Sequence, residues 1–238
     1  MKNYKTVLAL MLAIMLPLVS YYFVKKYSTE AVHMPPRYFA DSIGQKKVRG
    51  TILPDTLWHR AKNIRLINQL GDSVSLDDLK GKIILVDFFF TRCPSICPSM
   101  ARAMKKLQMS FKKNDSIVQF ISISIDPKND SVPQLKKFAD KYQVDPASWW
   151  LLTGDKQEIY DFALKELKAS VADVNVDTAF VHTENFFLLD KERIVRGWYN
   201  GLDSVAQSKL VRDIPILMLE KDRKKTFNDF LKELFGRS

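Results

Sequence analysis

Two periods are visible in the apolar positions of this chain. A nearly continuous apolar run from Ile83 to Phe90 is rich in β-branched and aromatic residues and is opened by Gly81-Lys82. It predicts a strand buried on both faces. From Ser99 the period changes. Met100, Ala103, Met104, Leu107 and Phe111 recur at three and four, which predicts a helix, with Pro98 suited to its first turn. Other strands are expected at 64–68, at Val74, at 117–125, at 149–152, and as a hairpin formed by 185–189 and 194–199 around Asp190-Lys-Glu-Arg193. Further helices are expected from Ser131 to Tyr142, from Asp155 to Lys168 and from Ser204 to about Leu219, with a helical turn capped by Ser75. Strands alternating with helices pair in parallel, and a closing hairpin pairs antiparallel. The order predicts an α/β, thioredoxin-like fold.

The ends read differently. Thr6 to Val24 holds no charge and is flanked by Lys5 and Lys25. At ~1.5 Å per residue its length matches the ~30 Å hydrocarbon core, and it exceeds the apolar core of a cleaved signal peptide. Residues 1–26 therefore predict an uncleaved transmembrane helix. Residues 27–50, with Pro35-Pro36 and little periodicity, predict a tether. Residues 51–219 are expected to form the thioredoxin-like domain, and 220–238 a basic amphipathic helical tail with Phe227, Phe230, Leu231 and Leu234 as its apolar stripe. The export-like start and the chemistry below together predict a single-pass protein of a bacterial inner membrane, its domain on the periplasmic side.

Charge supports that division. Of the net +10, residues 1–50 carry +6, residues 209–238 carry +3, and residues 51–208, with 21 basic against 20 acidic side chains, carry +1. A nucleic-acid binder concentrates positive charge on its folded domain. Here the charge lies at the ends, which points to a membrane surface and away from nucleic acid.

Cys93 and Cys97, each followed by proline, are the only two cysteines, and they lie between the central strand and its helix. Open α/β sheets place their sites at this kind of junction, and the helix dipole favours thiolate over thiol. Two cysteines are too few for a disulfide scaffold. They form a redox pair or a metal site, or they are two buried thiols without further role. The usual dithiol motif has two intervening residues; three intervene here, which leaves both sulfurs free to turn toward one ion. Of the three histidines, His33 reads as a solvated tether residue and His59 as part of a polar stretch. His182, in Ala179-Phe-Val-His-Thr183, precedes the hairpin strand, where thioredoxins carry a cis-proline beside the dicysteine loop. Two soft thiolates and an imidazole suit copper, and no fourth ligand is evident for structural zinc. Met100 and Met104, at helical spacing, read as core.

Phe88-Phe-Phe-Thr-Arg-Cys-Pro-Ser-Ile-Cys-Pro98 resembles the Sco/SenC signature. Ser124-Ile-Asp-Pro127 with Asp130, Trp150-Leu-Leu-Thr-Gly154, and His182-Thr183 followed by Phe186-Phe-Leu-Leu-Asp190 resemble further segments of that family, and the likeness runs from Ile64 to Leu217. The resemblance implies a membrane-tethered thioredoxin-like domain. It implies copper held by Cys93, Cys97 and His182, and a role in assembling the copper centre of cytochrome c oxidase, whose copper-accepting subunit is the partner. Two positions depart from the pattern. Ser95 and Val181 stand where many members have aspartate, and the lost negative charge weakens Cu(II) more than Cu(I) or signals a shifted role. Beside this chaperone reading stand two others. One is a thiol–disulfide oxidoreductase, an enzyme, with Cys93 as attacking thiolate. The other is a peroxidase, for which Thr91 and Arg92 are present but the proline before the cysteine is not.

Overall fold

The structure, a computed structural model, describes residues 3–30, 33–48, 51–169 and 184–220. The chain divides into two compact units, residues 1–34 and 35–238. The first contains helix α1 (Asn3–Glu30), with Pro17 inside it. Among the described residues no helix is long and apolar enough to cross a membrane. The transmembrane helix expected over residues 1–26 is therefore not supported by the described residues.

The second unit is built on a seven-stranded mixed sheet of order β4-β3-β7-β6-β5-β8-β9. Its strands are β3 (Arg65–Asn68), β4 (Ser73–Ser75), β5 (Ile83–Phe89), β6 (Val118–Ser124), β7 (Trp149–Thr153), β8 (Asn185–Leu189) and β9 (Val195–Asn200). β5, β6 and β7 pair in parallel, while β8 and β9 close one edge and β3 and β4 the other, all antiparallel. The parallel strands are linked by α2 (Cys97–Ser110) and α3 (Val132–Tyr142). α4 (Lys156–Asp161) follows β7, and α5 (Ser204–Leu219) follows β9. All seven residues of β5 are buried, as are all seven of β6. Central parallel strands are covered on both faces, so a continuous apolar run replaces alternation.

Two apolar clusters occupy the two faces of the sheet. On one, Ile83, Leu85 and Phe89 of β5 meet Met104 and Leu107 of α2, Phe138 of α3 and Ile214 of α5. On the other, Ile84, Val86 and Phe88 meet Ile123, Phe187, Ile159 and Phe162. Met100 and Met104 lie in the first cluster, 3% and 0% exposed, and serve as core.

Two local expectations are corrected. Residues 27–50 do not act as a tether throughout, because β1 (Ala40–Val48) pairs antiparallel with β2 (Thr51–Trp58). Backbone pairing supplies this order, and it leaves no side-chain periodicity to read. The segment before it is also held. The Arg196 guanidinium, nearly inaccessible, donates to the Pro35 carbonyl (3.0 and 2.6 Å) and to the carboxylates of Asp190 (2.9 Å) and Glu220 (2.5 Å). The helix expected over 155–168 is regular only to Asp161, and Phe162–Glu166 winds as a π-helix. The predicted tail from 221 onward lies outside the described residues.

Candidate metal centre

β5 ends at Phe89, and the chain turns through residues 90–96 before α2 begins at Cys97. The Cys93 amide closes the first turn by donating to the Phe90 carbonyl (3.2 Å). Cys93 and Cys97 are both free thiols and both buried, 7% and 2% exposed. The Cys97 amide donates to Cys93 Sγ at 3.5 Å, and Ser95 Oγ lies 3.9 Å from the same sulfur. No side chain of the N-cap residue Ile96 caps α2. One of the helix's unpaired N–H groups therefore points at sulfur, where it stabilises negative charge.

The two thiols are not equivalent. Burial works against ionising Cys93, but hydrogen bonds from the Cys97 thiol, the Cys97 and Ser95 amides and the Ser95 hydroxyl outweigh it and bring this thiol below its ordinary range. Burial, the loss of its own proton bond to Cys93, and the charges of Cys93 and Asp87 push Cys97 far up. Cys93 is thus the first to become thiolate, and Cys97 gives up its proton only to an electrophile or a metal ion.

The loop is pinned from the side. Asp130, fully buried in the turn after β6, accepts from the Thr91 amide (3.1 Å), the Thr91 hydroxyl (2.5 Å) and the Ser124 hydroxyl (2.5 Å). Asp126 accepts from Arg92 Nη2 (2.8 Å) and from Asn129 Nδ2 (2.8 and 2.9 Å). Against the desolvation of partial burial, these donors hold the Asp126 carboxyl below the usual range. From the sequence, Ser124, Asp126 and Asp130 belong to a family pattern with no assigned role at the site; their work is to fix Thr91 and Arg92, the two residues before Cys93.

Asp87 lies within the strand itself, 2% exposed. It accepts from Ser122 Oγ (2.5 Å), which in turn accepts from Trp149 Nε1 (2.9 Å). Burial raises its carboxyl to about 7, with the Ser122 bond opposing. Sequence reasoning passed over this residue, although a lone carboxylate inside an apolar strand was its visible signal. Its folded-state pKa lies above the ordinary 3.8, so the folded protein holds this proton more tightly than the unfolded chain does. This group's contribution to stability is then fully present below pH ~4 and is lost as pH rises to about 7, a change of up to about 4 kcal/mol. Asp87→Asn is expected to remove that decline. The variant should unfold at a higher denaturant concentration than wild type at pH 8 and show no such gain at pH 4. Parallel slopes for the two proteins would mean that Asp87 stays ionised.

The histidines separate as follows. His33 is exposed. His59 Nδ1 lies 2.8 Å from Asp41 and Nε2 lies 3.0 Å from Glu166, so both ring nitrogens are engaged away from the cysteines. His182 and Val181 lie outside the described residues. Among the described residues, no three His, Cys, Asp or Glu side chains converge as a metal site. The donor set described is the thiol pair, which suits a soft ion that accepts few ligands.

The family model for SCO1/SenC matches residues 59–218. The chain is 38% identical to the SCO1 protein homolog of Bacillus subtilis over 166 residues, covering 69% of this chain and 86% of that protein. A solved structure of BsSco, described as a member of the Sco family of cytochrome c oxidase assembly proteins with a disulfide switch, superposes with a TM-score of 0.59 at 36% identity. That match covers 69% of this chain and 96% of the other. The structure of Bradyrhizobium japonicum ScoI with copper bound shares the fold, with a TM-score of 0.51 at 24% identity, over 64% of this chain and 98% of that one. A strand-to-helix loop carrying two buried, unequal thiols on a thioredoxin-like sheet, matched over residues 59–218 by one family model, leads to one assignment: the chain belongs to the SCO1/SenC family.

Proposed function

We propose that this protein is a membrane-tethered copper chaperone that assists assembly of the copper centre of cytochrome c oxidase. The observation that carries the reading is the buried thiol pair at the α2 N-terminus, one thiol favoured as thiolate and the other held protonated. Copper is cargo. It meets Cys93 first; coordination then displaces the Cys97 proton, so uptake releases protons and favours higher pH. His182 completes the set as a neutral imidazole, and with no fourth donor among the described residues an acceptor's ligand has room to enter. Residues 6–24 hold the chain in the inner membrane, with the domain on the extracytoplasmic side. The copper-bound Bradyrhizobium japonicum relative supports the cargo, and the description of BsSco supports the acceptor.

The inequality of the two thiols also favours a second reading, a thiol–disulfide oxidoreductase in which Cys93 attacks and Cys97 resolves. His182 separates the two. The reduced full chain in detergent, titrated with copper against a competing chelator, is expected to bind one ion per chain with sulfur-to-Cu(II) charge-transfer absorption. His182→Ala is expected to weaken binding roughly 100-fold, the scale of losing one donor. Binding indifferent to His182, beside a readily cycled disulfide, would leave the oxidoreductase.

A further inference from the structure

The domain's near-neutral charge hides an uneven distribution. From residue 88 to residue 114 the chain has six basic side chains and no acidic one. Three of these, Arg102, Lys105 and Lys106, lie on α2, and Lys141 of α3 joins them around a groove of about 480 Å³. Pro98, the residue after Cys97, and Tyr142 line it too. Among the described residues no acidic one lines it. Arg102 donates to the Ser99 hydroxyl (3.0 Å), Lys105 to Gln108 Oε1 (3.2 Å) and to the Gln143 carbonyl, and Lys141 lies over the Tyr142 ring at 5.3 Å. These partners are neutral. Among the described residues none of the four cations pairs with a carboxylate, whereas Arg37, Arg60, Arg92, Arg193 and Arg196 each do.

We infer that this groove docks an acidic protein surface and so aligns a copper-accepting partner with the thiol pair. Unpaired like charges brought together cost energy in the free protein, and a carboxylate-bearing partner relieves that cost. A concave site with low-dielectric walls also focuses its field and raises the rate of encounter. Pro98, which lines the groove, follows Cys97 in the chain, so a partner seated there is brought close to the thiol pair. An anionic membrane presents a flat array of phosphates; a groove walled by a proline and a tyrosine better matches protruding acidic side chains. The identity of the partner rests on the chaperone reading; the groove's preference for acidic protein does not.

The test uses the full chain in neutral detergent and, as probe, the soluble copper-centre domain of the host's own cytochrome c oxidase. Association is followed by fluorescence anisotropy of the labelled probe, with apo and copper-loaded protein, over rising salt. The comparison variant replaces Arg102, Lys106 and Lys141 together by glutamine. All three are exposed and none touches a cysteine; Lys105 is left in place because it bonds Gln108 and Gln143. The wild type is expected to associate about 10-fold faster at low salt than the variant, with the difference vanishing at high salt, while the copper affinities of the two proteins match. Equal association rates, or no association of the wild type in either state, would overturn the groove. So would a variant whose only loss is binding to phosphatidylglycerol vesicles, because the occupant would then be lipid. Intact, charge-dependent docking without copper transfer would keep the groove and remove the chaperone reading.

Discussion

Cys97→Ser is expected to abolish tight copper binding and to leave the fold in place. The side chain is buried in the cluster beneath α2, and serine is close to isosteric, so the change removes chemistry more than volume. What goes is one of two soft donors, and oxygen is a poor ligand for Cu(I). The remaining Cys93 also loses the thiol that donates to it, while keeping the amide of residue 97. The expected loss in affinity is at least about 1000-fold, larger than for His182→Ala, because thiolate is the dominant donor for this ion. Chelator competition under reducing conditions reads the affinity, and circular dichroism reads the fold. Retention of wild-type affinity by a folded Cys97→Ser protein would place the copper elsewhere. Cys93→Ser should lose as much affinity, and in addition should abolish reaction with thiol reagents near neutral pH, since Cys97 is held protonated.

Asp130→Ala destabilises the domain and loosens the dicysteine loop together. The carboxylate is fully buried and takes three donors, two from Thr91 and one from Ser124. Removing it leaves those donors unpaired in a desolvated position, at about 1–3 kcal/mol each where water does not enter. Thr91 is half-buried and recovers part of its share from water, so the expected total is about 3–5 kcal/mol. The loop's other restraint, Arg92 to Asp126, is exposed on the arginine side and does not compensate. Urea denaturation gives the stability. The second readout is local: Cys93 should react faster with an alkylating reagent under native conditions, because Thr91 no longer holds the turn into it. Asp130→Asn should cost less, since one acceptor oxygen survives while the new amide donors meet donors. A variant as stable as wild type, with unchanged thiol reactivity, would show that water replaces the carboxylate.

The parts of the fold that could be read from the chain share one property: their side chains face a continuous apolar environment. β5, β6 and β7 appear as apolar runs because parallel strands are buried on both faces, and α2 and α3 appear through their three-four spacing because each covers one face of the sheet. β1 was invisible because its order comes from backbone pairing with β2, which leaves residues such as Ile43 exposed. The π-helix at Phe162–Glu166 was invisible because Phe162 and Ala163 bury their side chains in a helical register of either kind. Asp87 was overlooked because its burial is satisfied across the sheet by Ser122, thirty-five residues later in the chain.

The sequence by itself determined the order of elements, the family, the position of Cys93 and Cys97 between a strand and a helix, and the placing of positive charge at the two ends. Each of these depends on residue type and short spacing, which are local properties. Only the tertiary structure decided that the two thiols are unequal, that Asp130 and Asp126 hold the loop, that Arg196 ties Pro35 to Glu220, and that Arg102, Lys105, Lys106 and Lys141 surround one groove. These depend on burial and on distances between residues far apart in the chain, and desolvation and hydrogen bonding act through space, not along the sequence.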